Sequence, residues 1–197
     1  MNRSSRTDGG VFTRRGEAWS EVTELEPPAF RLRLGGAFQN AWLASLTGRL
    51  AERHLSIDHI HARLSGDDIW IAELHLLALR GAPDPSSIHY VELAQHPEPA
   101  PTTPFELDSF RLIESRDYGG TLMLSLEAKD SLGLLGSLLG SLARLGLLPI
   151  EMHIETREGR AYDSLWLAAH DHKGQKKADA QLLLAARALL TEKATKV

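Results

Sequence analysis

The stretch KDSLGLLGSLLGSLARLGL, residues 129–147, decides the fold. Leu134, Leu135, Leu138, Leu142 and Leu145 recur at helical spacing and make one apolar stripe. Gly146 is placed to stop that helix. Asp130 stands where an N-cap would accept backbone N–H bonds from the first turn. Gly133 lets the backbone turn sharply, or lets another group approach, and leaves N–H groups of the first turn open to a carboxylate.

The flanks read as strands. Residues 121–128, TLMLSLEA, alternate in a β-compatible way, and so do residues 150–157. Glu158-Gly159 fits a tight hairpin turn, after which AYDSLWLAA returns as the next strand. Residues 176–193 form a second helix.

The same pattern occurs earlier in the chain. Leu32 falls on Leu124, Trp42 on Leu134, Leu43 on Leu135, Leu46 on Leu138, Leu50 on Leu142 and Ala51 on Ala143. After a one-residue slip, Ile57 falls on Ile150 and Gly66 on Gly159. The chain thus holds two copies of one strand–helix–strand–strand–helix unit. In the first copy, Asp84 and Pro85 read as the cap and first turn of its second helix. The expected fold class is α+β: two ferredoxin-like units with antiparallel sheets and helices on one face.

A fourth strand is needed for each unit, and two sources are open. Residues 20–25 and 107–115 could each form a hairpin with the strand that follows. Alternatively, 107–115 closes the first copy's sheet and leaves the second with an open edge. Six of the nine prolines lie between Pro83 and Pro104, which places the linker near 96–104. The expected division is a flexible tail over 1–18, a first unit over 19–100 and a second over 105–197.

Asp130-Ser131-Leu132-Gly133-Leu134-Leu135 resembles the D-x-x-G-L-L signature of ACT domains. The run Thr156 to Leu165 resembles that family's T-x-x-G-x-x-x-D-x-F hairpin, with Leu165 in place of the usual aromatic. The likeness covers residues 121–193. It implies a ferredoxin-like domain that binds an amino acid or another small effector between its first loop and the second strand of a neighbouring copy, and that regulates a fused or associated enzyme. By that resemblance the ligand-binding positions are Asp130, Ser131, Leu132, Gly133 and Leu134. The first copy departs from the pattern: its loop, Gly35 to Leu43, has no acid–glycine signature, although Asn40 could cap its helix. It reads as a degenerate ACT-like domain.

Histidines crowd the first copy's hairpin. If Ile60, Ala62, Leu64 and Trp70, Ala72, Leu74 all face the helices, a three-residue turn sets His59 opposite Glu73. His61 and His75 then share the outer face, where imidazoles and a carboxylate could ligate zinc or nickel. Polar side chains belong on an outer face in any case, so no metal and no cofactor are expected. His170-Asp171-His172 reads as a solvated strand end. Asp163 and His153 fall on opposite faces by strand parity, which argues against an acid–base pair. No nucleophile elbow or phosphate loop is present, so no enzymatic activity is expected.

Composition bounds the rest. The 197 residues carry a net charge of -4, which gives no broad basic footprint for nucleic acid. The tail's arginines could form an RNA-binding arm, but a solvated tail is the plainer reading. There is no cysteine, which excludes disulfides and thiolate chemistry and fits a reducing, cytoplasmic setting. No apolar run is long enough for a membrane span. The expected function is that of a small-molecule-sensing regulatory protein without a catalytic domain. It would act with a partner enzyme and as a homo-oligomer whose two copies pack as a pseudo-dimer. The alternatives are an interaction module without an effector, and a metal-binding protein using His59, His61, Glu73 and His75.

Overall fold

A computed structural model describes residues 16–65, 68–96, 103–171, 174–176 and 178–194. Residues 1–15 of the expected tail, residues 97–102 of the linker, and His172 lie outside the described residues. The first half runs β1 (Trp19–Glu24), β2 (Ala29–Gly36), α1 (Trp42–Glu52), β3 (Leu55–Leu64), β4 (Trp70–Ala78) and α2 (Tyr90–Gln95). The second half runs β5 (Ser109–Ser115), β6 (Thr121–Lys129), α3 (Leu134–Arg144), β7 (Leu147–Arg157), β8 (Arg160–Asp171), β9 (Gly174–Lys176) and α4 (Ala180–Lys193).

The architecture is α+β. All the strands join one antiparallel sheet with the row β1-β2-β4-β3-β7-β8-β6-β5, and β9 pairs with the end of β8. β1 flanks β2 and β5 flanks β6, so each half supplies its own flanking strand by a hairpin. The second expected source, with 107–115 closing the first half, is therefore excluded. The halves meet where β3 pairs with β7, from His59↔Glu155 to Arg63↔Glu151. Strand alternation sends Leu32, Leu34, Ile60, Leu74, Leu124, Met152 and Leu165 inward, with 0% exposure each. They share one core with Leu46 and Leu50 of α1, Leu138 and Leu142 of α3, and Ala186 and Leu190 of α4. Each fully buried leucine contributes roughly 1.5–3 kcal/mol. Arginines, glutamates and histidines alternate on the opposite face.

The two halves match through their backbone irregularities. His54 and Gly146 are both left-handed residues after a helix. The β3–β4 and β7–β8 ladders both slip, at Asp58 and at Ile150. Ala41 (φ 64°) and Gly133 (φ 90°) are both left-handed N-cap residues. Each pair stands 92 positions apart, as 54 to 146 and 41 to 133. The slip expected before Ile57 is thus absent, and Ile57 matches Pro149. The offset changes only in the hairpins: Leu64 pairs with Trp70 and Thr156 with Ala161, so the first hairpin loop is one residue longer.

Several local expectations are corrected. Asp130 does not cap α3: the N-cap is Gly133, with no side-chain cap bond. Asn40 likewise does not cap α1. In both loops a left-handed residue makes the turn, and the N–H of Trp42 or Leu134 donates to the carbonyl of Gln39 or Ser131 at 3.2 and 3.0 Å. Asp84 caps a short 3-10 turn, Pro85–Ser87, and α2 starts only at Tyr90. α4 begins at Ala180, where the carboxylate of Asp179 accepts from the Leu182 N–H at 2.8 Å. The β3–β4 connection leaves five residues between Leu64 and Trp70 rather than three, so His59 faces His75 and His61 faces Glu73. A shift of two residues keeps every side chain on its face, so the apolar alternation could not detect it.

Candidate functional site

The loop before α3 lies against the other half. A cleft is lined by Asp130 to Gly136, by Leu55, Ser56 and Ile57 of β3, by Thr47 of α1, and by Ile154, Thr156, Ala161 and Asp163. Thr156 bridges the seam here, its hydroxyl donating to the Ile57 carbonyl at 3.3 Å. The five residues marked by the resemblance, Asp130, Ser131, Leu132, Gly133 and Leu134, line one wall of this cleft, across from β3 of the other half. Gly133 suits its φ of 90°, and a Cβ there would stand a tight 3.1 Å from the Thr103 hydroxyl. Thr103 is itself tied to α3 through the Ser137 hydroxyl, at 2.8 Å from its N–H.

Two carboxylates face this cleft. Asp163 points inward from β8 between Leu126 of β6 and Ile154 of β7 and is 3% exposed. Neither of its oxygens has a hydrogen-bond partner among the described residues. Burial, with the Asp130 charge adding to it, pushes its carboxyl from 3.8 up to about 7. Asp130 is pushed up too, by burial and by Asp58 of β3, against one backbone hydrogen bond from Ser131. A buried carboxylate without a donor is costly. Such a site favours either protonation or a cation. The cleft volume is about 30 Å³, room for a water or two by this measure. Ser131 and Leu132 of its lining are exposed.

The matching cleft of the first half has a different character. It is lined by Gln39 to Ala44, Leu64 and Trp70 against Leu148, Pro149 and Ile150 of β7, with His170. Ninety-two positions before Asp130 stands Phe38, which stacks on Trp42 at 4.6 Å. Trp42 in turn meets Trp70 edge-on at 5.3 Å. Strand pairing equates Asp163 with Ala72, since Leu126↔Asp163 matches Leu34↔Ala72. Both acids are thus absent from the first cleft, which indole rings line and whose volume is about 50 Å³ against about 30 Å³ for the acidic one. His170 is half-buried at this wall rather than freely solvated.

The outer sheet face carries the histidines in an arrangement that differs from the expected one. His61 and His153 pair directly across the β3–β7 seam and stack at 4.5 Å. His59 and His75 lie 5.7 Å apart. Glu151 reaches His153 at 2.9 Å and His61 at 4.0 Å, and accepts a hydrogen bond from the Tyr118 hydroxyl. Burial raises the Glu151 carboxyl, but the bonds from Tyr118 and His153 outweigh it and hold it below its ordinary value. Desolvation and the neighbouring His153 lower His61. As parity required, Asp163 and His153 are on opposite faces and form no pair.

Sequence reasoning missed Asp163 as a cleft wall and Glu151 as the partner of two histidines. The offset of the repeat held a signal for the second: His61 and His153 are 92 positions apart, so a symmetric seam must bring them together. No family model, curated protein or solved structure matches the chain. Among the described residues, no helix is long and apolar enough to cross a membrane.

Proposed function

We propose that the chain is a regulatory protein that senses a small molecule through the Asp130–Asp163 cleft, and that it has no catalytic activity of its own. On this reading each half is a ferredoxin-like, ACT-like unit. β1 and β5 stand where the fourth strand of such a unit usually lies, and the units pair side by side through β3 and β7. The observation that carries it is the pair of half-buried and buried acids at the seam, one of them with no donor. An amino acid fits the chemistry, because its ammonium group supplies the missing donors and the opposite charge. Closure of the loop over a ligand changes how the two halves meet at β3, which gives a partner enzyme something to read. Two chains then associate into a four-unit assembly.

A thermal-shift screen of the amino acids tests this, each compared with its analogue lacking the amine. A true ligand raises Tm with concentration as RT ln(1 + [L]/Kd). The expected result is a shift for one amino acid, none for its deaminated analogue, and loss of the shift in Asp130→Asn and Asp163→Asn. Gly133→Val is a poor probe, because its strained φ and the contact with Thr103 would disturb the fold itself. Silence across the whole set favours the second reading, an interaction module without effector. The first cleft lacks both acids and is lined by aromatic rings instead, which favours that reading for the first half. Light scattering giving a mass near 21.7 kDa would remove the four-unit assembly.

A further inference from the structure

The outer face at the seam holds a second constellation, which the cleft does not use. Nε2 of His61, Nε2 of His153 and Oε1 of Glu151 converge, all within 4.8 Å of one another. We propose that His61, Glu151 and His153 bind one divalent transition-metal ion, zinc by the chemistry of the donors.

Two imidazoles and one carboxylate are a donor set that zinc takes in sites with an open fourth position. Bonds of about 2.0–2.2 Å to a tetrahedral ion set its ligand atoms roughly 3.4 Å apart. The Glu151–His153 and Glu151–His61 separations of 2.9 and 4.0 Å lie on either side of that value. Small rotations of exposed side chains therefore suffice. Both imidazoles are 46% exposed at their side chains, so an ion can reach them, whereas Glu151 is only 17% exposed.

The surroundings hold the ligands in place. Oε2 of Glu151 accepts from Tyr118, which leaves Oε1 directed at the two rings. Trp166 packs edge-on against His153 at 5.7 Å, and its indole N–H donates to Asp117 at 3.4 Å. Partners of this kind, which orient a ligand without touching the ion, change metal affinity by about 10–100-fold. The three ligands stand on β3 and β7, the two central strands of the sheet, so the site is built on rigid backbone. His59 and His75 lie on the same face, and His75 has Glu73 at 3.5 Å, but among the described residues only His61, Glu151 and His153 converge as a set of three. A bound ion would cross-link the two halves opposite the cleft.

The test uses the whole chain without a histidine tag, stripped with chelator and dialysed against zinc chloride, with cobalt(II) as a spectroscopic substitute. The expected result is one zinc per chain and the visible absorption of a four-coordinate cobalt ion. His61→Ala and His153→Ala should each weaken zinc binding more than ~100-fold, and Tyr118→Phe about 10-fold, by the scale of such supporting contacts. A His59→Ala/His75→Ala double variant should bind like the parent. Glu151→Gln keeps the shape and serves if an alanine variant fails to fold. Absence of saturable zinc uptake overturns the proposal. So does uptake unchanged in both His61→Ala and His153→Ala, or lost in the His59→Ala/His75→Ala variant.

Discussion

Asp163 is the residue whose ionisation matters most to this fold. Its carboxyl lies at about 7 in the folded chain against an ordinary 3.8. The folded state thus holds a proton that the unfolded chain releases, so this contribution to stability is full below pH ~4 and is lost as pH rises to ~7. That difference corresponds to about 4 kcal/mol, of which about 3 kcal/mol falls between pH 5 and pH 8. Asp130 is shifted in the same direction and adds to the trend. Asp163→Asn removes the ionisation while keeping the shape. Urea unfolding should show the variant gaining on the parent as pH rises, and a pH-independent difference between the two would contradict the burial argument. The same ionisation is what an ammonium ligand needs, so ligand binding should tighten over that range.

At the scale of elements, the crossing of α1 and α3 is the tightest constraint. A Cβ at Gly136 would stand 2.7 Å from both Cα and N of Gly48, which are backbone atoms that cannot swing aside. Gly136→Ala should therefore cost about 1–3 kcal/mol by overpacking. That exceeds the ~1 kcal/mol an alanine gains over glycine in a helix. A raised urea midpoint in this variant would show that the helices can separate freely. Much at this scale was readable from sequence. Alternation marked 121–128 and 150–157 as strands, and Glu158-Gly159 with left-handed φ of 51° and 74° makes the expected turn. The failures have physical causes. Parity preserved the faces of β3 while hiding its register. The start of α3 was misread because Asp130 looked like a cap, whereas a left-handed residue makes the turn in both halves, even where it is Ala41 rather than glycine. The inward face of Asp163 followed from its parity with Leu165 two residues on, and only its role as a cleft wall was missed, because that wall depends on the loop before α3 lying against it.

For the whole molecule, the seam is a continuation of the core rather than a contact between finished parts. β3 and β7 share a ladder, α1 packs on α3, and the leucines of both halves form one cluster. Cutting the chain in the linker would expose a long central strand and an apolar helix stripe on each piece, both of which favour aggregation. Residues 16–96 and 103–197 expressed separately should show no cooperative unfolding at the temperature of the intact chain. Matching thermal transitions for the isolated pieces would mean that the seam adds nothing. Only the repeat offset could have revealed this pairing from sequence, because no local pattern says which edge a strand will share.

The unlike filling of the two clefts has a consequence for how such a chain answers a signal. A dimer of identical chains offers two equal sites, so its dose response can be cooperative and a substitution in one site is repeated in the other. Here one covalent chain carries both sides of the seam, with tryptophans on one and carboxylates on the other. On the proposed reading each chain therefore offers one acidic site rather than two, and any cooperativity would have to arise between chains.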